Sequence, residues 1–313
     1  MSWALLHSGI DGVWIMLVGA LVGASCAIVG CFLVLRRMAM LGDAISHAVL
    51  PGIVVAFMLT GSRNILPMLI GAGAVGLLTV FLTDMLNRHG KLQTDASIGV
   101  TFTWLFALGV ILVSKYTADI DLDLDCVLYG DILFTPFQRL EWAGIDWGPR
   151  PAWSLGIVTL ADVAFVVLAW KQLKVCSFDP AMAASLGINV ALWHYLLMGF
   201  VSVTTVAAFP SVGAILVVAM LTVPPNTAYL LTDRLWLMLL LAALAGVLSA
   251  VLGYALATAL DGSIAGAMAT VSGLLYILAM LFAPRNGMVA KRLALIRMRK
   301  SSGSALAAAE DAP

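Results

Sequence analysis

The chain is a succession of long apolar stretches separated by short charged ones. Stretches free of Asp, Glu, Lys and Arg run over 12–35, 44–62, 64–83, 96–114, 180–232, 235–260 and 262–284, and 151–170 is broken only by Asp162. A helix needs about 20 apolar residues to span the hydrocarbon core of a bilayer, and these runs have that length. They are continuously apolar, without the ten-residue alternation of membrane barrel strands, so they predict helices. The 180–232 run is too long for one span. Pro210 divides it into helices near 190–209 and 212–231, and Pro224-Pro225 should bend the second. The pattern predicts an all-α polytopic membrane protein of about nine transmembrane helices, with a membrane domain over 1–284 and a basic, then solvated tail over 285–313.

Composition narrows the picture. Of 313 residues, 62% are hydrophobic and 11% charged, against about a quarter charged in soluble domains, and the mean hydropathy is +1.04. So apolar a chain is not disordered. The 17 basic residues equal the 17 acidic ones, which argues against a nucleic-acid partner, since that would need a basic face. Cys26, Cys31, Cys126 and Cys176 have no paired C-x-x-C spacing and make neither a zinc ribbon nor a disulfide framework. The 12–35 run is too long for a cleavable signal and has no basic segment before it, so it reads as a retained helix.

Charge placement orients the spans. If the first helix runs outside to inside, cytoplasmic segments carry 13 basic residues and outer segments carry only Arg63, Lys115, Arg139 and Arg150. That asymmetry predicts a multi-pass protein of the inner or plasma membrane with its C-terminus in the cytoplasm. Gly19 with Gly23, and Gly246, Ala250, Gly253 and Ala257, recur at helical spacing and predict close helix packing. The one long outer segment, 116–151, opens with alternating Asp119, Asp121, Asp123 and Asp125. It is either a solvated acidic loop or a vestibule that concentrates cations. Its Phe134, Phe137, Trp142 and Trp147 place part of it in the membrane interface, as a short helix or re-entrant piece.

Ionisable groups inside spans are costly and therefore functional candidates. Asp43 and His47 open the second span with i, i+4 spacing, which puts both on one helix face. Carboxylate oxygen plus imidazole nitrogen suits Mn²⁺, Fe²⁺ or Zn²⁺. Two ligands are incomplete, but the same pair from a facing protomer would make four. Pro51 has no N–H for the His47 carbonyl, leaving that oxygen for an ion or water. The plainer alternative is that Asp43, after Gly42, caps the helix and His47 is an interhelical hydrogen-bond partner. Asp162 either lines a pore, or carries protons, or hydrogen-bonds a neighbouring helix. His194, near the cytoplasmic end of the sixth span, reads as interfacial.

Phe178 to Ile188 is cytoplasmic by the charge rule. Asp179 is placed as N-cap, Pro180 at the first helical position and Gly187 as the stop, giving a short helix that exposes Met182 and Leu186. That apolar knob fits a groove in another protein; a plain connecting helix is the alternative. The single Gly-Lys pair, Gly90-Lys91, lacks the rest of a phosphate loop, and no nucleophile elbow or His-Glu-x-x-His occurs. The chain therefore reads as no enzyme.

The run Val34 to Gly52, containing Arg36-Arg37, Gly42-Asp43, Ser46-His47 and Pro51-Gly52, together with Phe178 to Gly187, resembles the permease subunit of the manganese/zinc/iron ABC importers. The likeness covers about residues 12–284. Asp123 to Asp131 resembles the manganese and iron branch more than the simple zinc permeases. The resemblance implies the vitamin B12 permease-type fold, with two permeases, of one chain or of two paralogues, around a central path. It also implies separate cytoplasmic ATPase subunits and an extracytoplasmic metal-binding protein. Asp43 and His47 become pore ligands or gate residues, and Phe178, Asp179, Pro180, Met182, Leu186 and Gly187 become the ATPase-coupling helix. No tightly bound cofactor is implied, only the transported ion. Ala181 to Ala184 depart from the family pattern in lacking charge, so docking would lean on apolar contact. Two other readings remain: a proton-coupled secondary transporter using Asp162, and a siderophore or vitamin permease of the same fold.

Overall fold

The computed structural model describes residues 9–61, 65–116, 132–142 and 145–283. Among these residues ten α-helices follow in order: α1 (Gly9–Leu35), α2 (Met40–Thr60), α3 (Ile65–Gly90), α4 (Thr94–Tyr116), α5 (Arg150–Leu168), α6 (Trp170–Phe178), α7 (Pro180–Ser185), α8 (Val190–Leu231), α9 (Leu235–Leu260) and α10 (Ile264–Phe282). Between α4 and α5 stand a 3-10 helix (Ile132–Phe137) and a hairpin of β1 (Arg139–Trp142) and β2 (Ile145–Pro149), antiparallel with Trp142 opposite Ile145. Sequence alone did not anticipate the hairpin. Asp119, Asp121, Asp123 and Asp125 fall outside the described residues, as does the 285–313 tail.

Helices dominate because a lipid-facing backbone must satisfy its own polar groups. The hydroxyls inside the spans follow the same constraint. Ser46, Thr60, Thr101, Thr205 and Ser249 each donate to the carbonyl four residues back, at 2.7–2.8 Å.

Eight of the described helices are long and apolar enough to cross a membrane, against nine expected spans. The difference lies in α8, whose 42 residues extend about 63 Å at 1.5 Å per residue, twice the roughly 30 Å of a hydrocarbon core. Its two arms are the two spans read from sequence. The interruption falls at Gly213 (φ 78°, ψ 163°), not at Pro210. Proline removes one hydrogen bond yet keeps a helix-compatible φ, whereas a positive φ with extended ψ is open almost only to glycine. α3 continues to Gly90, past the expected limit at 83, and Asp84 in its added length lies 3.4 Å from His194 Nε2 of α8. A separate helix, α6, follows the fifth span after a break at Ala169.

α1 packs along α8 and α9, α2 along α3 and α4, and α8 touches both groups, while α10 closes on α8 and α9. α1 and α8 are largely buried within the protein, and α4 and α5 are largely exposed. The α1–α9 crossing depends on missing side chains: a Cβ on Gly23 would stand 2.8 Å from the Gly246 backbone, and one on Gly246 2.5 Å from Gly23 O. The 3-10 helix buries Ile132 in the main core beside α1 and α8.

Candidate functional site

α2 starts from a tight reversal. Arg37 (φ 58°) closes α1, with its N–H donating to Val34 O at 3.0 Å and the Met38 N–H to Leu33 O at 2.9 Å. This pair of bonds is a Schellman ending with arginine where glycine is usual. The N-cap position of α2 is Ala39, with no side-chain cap. Asp43 therefore does not cap the helix, contrary to the plainer sequence alternative; it lies inside the first turn, and Asp43 Oδ1 is 3.5 Å from His47 Nε2. Both side chains are 40% exposed, half open although they belong to a membrane helix.

The rest of α2 explains how the pair is aimed. Gly42 sits against Leu221 of α8, where a Cβ would collide with the leucine, so α2 lies flush on the core and turns Asp43 and His47 away from Gly42. On the His47 side, Gly109 of α4 admits the Pro51 ring, to which its own Cβ would approach within 2.7 Å. One and two turns back along the same α4 face are Phe106 and Phe102, whose rings lie 5.9 Å from the imidazole centroid. The two phenyl groups hold the ring from two directions. Sequence reading missed them, although Phe102, Phe106 and Gly109 stand at i, i+4, i+7.

Among the described residues no group of three or more His, Cys, Asp or Glu side chains converges. The pair can donate one carboxylate oxygen and one imidazole nitrogen, which is half of a four-donor site.

Asp162, the other carboxylate within a span, is 1% exposed. Thr204 Oγ1 of α8 donates to its Oδ2 at 2.8 Å, and its Oδ1 is buried without a partner. This is the helix-to-helix hydrogen bond of the third sequence alternative, and the side chain is closed off from solvent here. His194 does not stand at a free interface: its Nε2 is 3.4 Å from Asp84 Oδ2 and its Nδ1 3.2 Å from Arg36 Nη1.

The Phe178–Gly187 segment folds as the capping chemistry requires. Asp179 Oδ1 accepts the Met182 N–H at 2.9 Å, and Pro180 occupies the first turn. The helix ends in bonds from Gly187 N to Ala184 O and Ile188 N to Ala183 O, at 3.1 and 3.0 Å, with Gly187 at φ 78°. Ala183 is buried, while Phe178, Met182 and Leu186 are 59%, 54% and 61% exposed, forming an apolar knob.

Residues 13–283 match the model of the ABC 3 transport family. The chain is 54% identical to the manganese transport system membrane protein MntD of Bacillus subtilis over 92% of this chain and 97% of that one. It is 42% identical to the zinc transport system membrane protein TroD of Treponema pallidum, covering 90% and 76% of the two chains. Among solved structures it resembles PsaBC from Streptococcus pneumoniae in complex with Fab, with a TM-score of 0.72 and 32% identity over 87% of this chain and 91% of that one.

Proposed function

The chain belongs to the ABC 3 transport family, and from that premise we propose that it imports Mn²⁺ along a path built on Asp43 and His47. As the permease of a metal-ion ABC importer it is a multi-pass membrane protein and not an enzyme; ATP is hydrolysed by a separate partner. A self-contained proton-coupled carrier is not favoured by that membership. The manganese relative at 54% identity and the zinc relative at 42% support a bare ion over a siderophore or vitamin, and manganese over zinc. Fe²⁺ and Zn²⁺ suit the same donors.

The observation that carries the reading is the 3.5 Å separation of Asp43 Oδ1 and His47 Nε2 on a half-open face. An ion about 2.1 Å from each donor separates them by about 3.0 Å at a right angle and about 3.4 Å at a tetrahedral one. The pair is thus spaced for chelation with little movement. A second permease facing the first supplies the remaining donors. The exposed Phe178, Met182 and Leu186 support docking of α7 in an ATPase groove, and the 13 to 4 basic asymmetry supports a cytoplasmic C-terminus. A secreted metal-binding protein delivers the ion to the opposite face, where the acidic run from Asp119 to Asp125 lies by the same asymmetry.

The test is Mn²⁺ uptake into vesicles containing the complete importer. Asp43→Ala and His47→Ala each lower uptake by at least about tenfold, equivalent to about 1.4 kcal/mol of lost binding, while the complex still assembles. Uptake by the unaltered importer falls as pH drops, because only the neutral imidazole ligates, and the His47→Ala residue of activity loses that dependence. Normal uptake by both variants overturns the site.

A further inference from the structure

Four elements meet around one guanidinium at the end of the bundle that carries α7. Arg36 stands in the turn from α1 to α2. Its Nε donates to Ser177 Oγ of α6 at 3.2 Å, and its Nη1 lies 3.2 Å from His194 Nδ1 of α8. Beyond the imidazole, Nε2 is 3.4 Å from Asp84 Oδ2 of α3, and Arg88 and Tyr195 also act on Asp84. A guanidinium only donates, so His194 Nδ1 is the acceptor and the ring proton stands on Nε2, directed at Asp84. At 3.4 Å that last contact is long, and Nε2 makes no close hydrogen bond. Burial lowers the Arg36 guanidinium from its ordinary pKa, and the nearby Cys176 opposes that shift. With two arginines in it, the cluster repels a metal ion.

Two atoms at this junction are buried without partners: Arg36 Nη2 and His194 Nε2, both donors. Buried polar atoms are nearly always paired, so two unmatched donors on residues in contact mark an interface with a second hydrogen-bonded arrangement open to it. The connections on both sides are short. α6 runs into α7 through Asp179 alone, whose N–H bonds back to Val175 O at 2.9 Å. On the other side, α2 begins at Met40 and carries Asp43 in its first turn.

We propose that Arg36 is the positioning residue that couples α6–α7 to α2, passing displacement of α7 to the Asp43–His47 pair through its hold on Ser177 and His194. The proposal rests on the reading of α7 as the ATPase-docking helix. Its signature is uncoupling: the importer hydrolyses ATP but moves fewer ions for each one.

The complete importer, with its ATPase, is reconstituted in liposomes, and ATP hydrolysis and Mn²⁺ uptake are measured together. Arg36→Gln keeps hydrolysis while uptake per ATP falls, within the roughly 5–150-fold range of allosteric coupling. Arg36→Lys does not restore it, since an ammonium lacks the fork that spans two acceptors. His194→Gln and Ser177→Ala, smaller changes at the two contacts, lower the same ratio in assembled complexes. An unchanged ratio in assembled Arg36→Gln overturns the proposal, as does a parallel fall of uptake and hydrolysis, which a purely structural role produces. If Arg36→Gln does not assemble, an unchanged ratio in both His194→Gln and Ser177→Ala overturns it. Failure of the α7 reading looks different: the ATPase then stays bound when Met182 is changed to Glu.

Discussion

At the residue scale, two carboxylates with the same sequence signature have different surroundings. Asp43 and Asp162 are both isolated acids in apolar runs. Asp43 is half open and faces a histidine one turn away, whereas Asp162 is sealed between α5 and α8 with Thr204 as its donor. A carbonyl oxygen serves Thr204 as well as a carboxylate oxygen does. Asp162→Asn therefore retains Mn²⁺ uptake and thermal stability in detergent, while Asp162→Ala, which leaves the threonine without its acceptor, loses about 1–3 kcal/mol. Loss of uptake in a stable Asp162→Asn protein would return Asp162 to the transport path. The Asp43–His47 spacing was legible from i, i+4. The phenyl rings on His47 were not, because they come from another helix.

At the element scale, glycine positions decide which helices touch. Gly23 and Gly246 let α1 and α9 meet backbone to backbone, whereas nothing stands within 4 Å of a Cβ on Gly73. Gly23→Val places carbon against backbone that cannot move aside and costs about 1–3 kcal/mol or more. Gly73→Ala is neutral or stabilising by up to about 1 kcal/mol through helix propensity. Thermal melts of the two detergent-solubilised variants separate these outcomes, and equal melting temperatures would remove close approach as the reason for the crossing. Sequence repeats of small residues announced the packing but not the partner. They also left the break in α8 at the wrong residue, since a proline is conspicuous in a sequence and the positive φ of a glycine is not.

For the whole molecule, the apolar knob of α7 and the half-complete donor set of Asp43 and His47 are both unfinished within one chain. Each gains its meaning in an assembly. Met182→Glu and Leu186→Glu put a charge on the face that meets the ATPase, so both variants reach the membrane but no longer co-purify with it. Retention of the ATPase by both would reduce α7 to a connecting helix.

The sequence by itself determined the helical membrane class, the span limits to within a few residues for most helices, the capping of α7 and the adjacency of Asp43 and His47. Those properties are local: hydrophobic run length, cap chemistry and helical period depend on residues a few positions apart. Only the tertiary structure decided that Asp43 is not a cap, that Asp162 meets Thr204, that Phe102 and Phe106 brace His47, and that Arg36, Ser177, His194 and Asp84 form one network. Those contacts join residues up to 158 positions apart. Lipid offers no hydrophobic force to say which helix faces which, so shape and a few polar pairs make that choice.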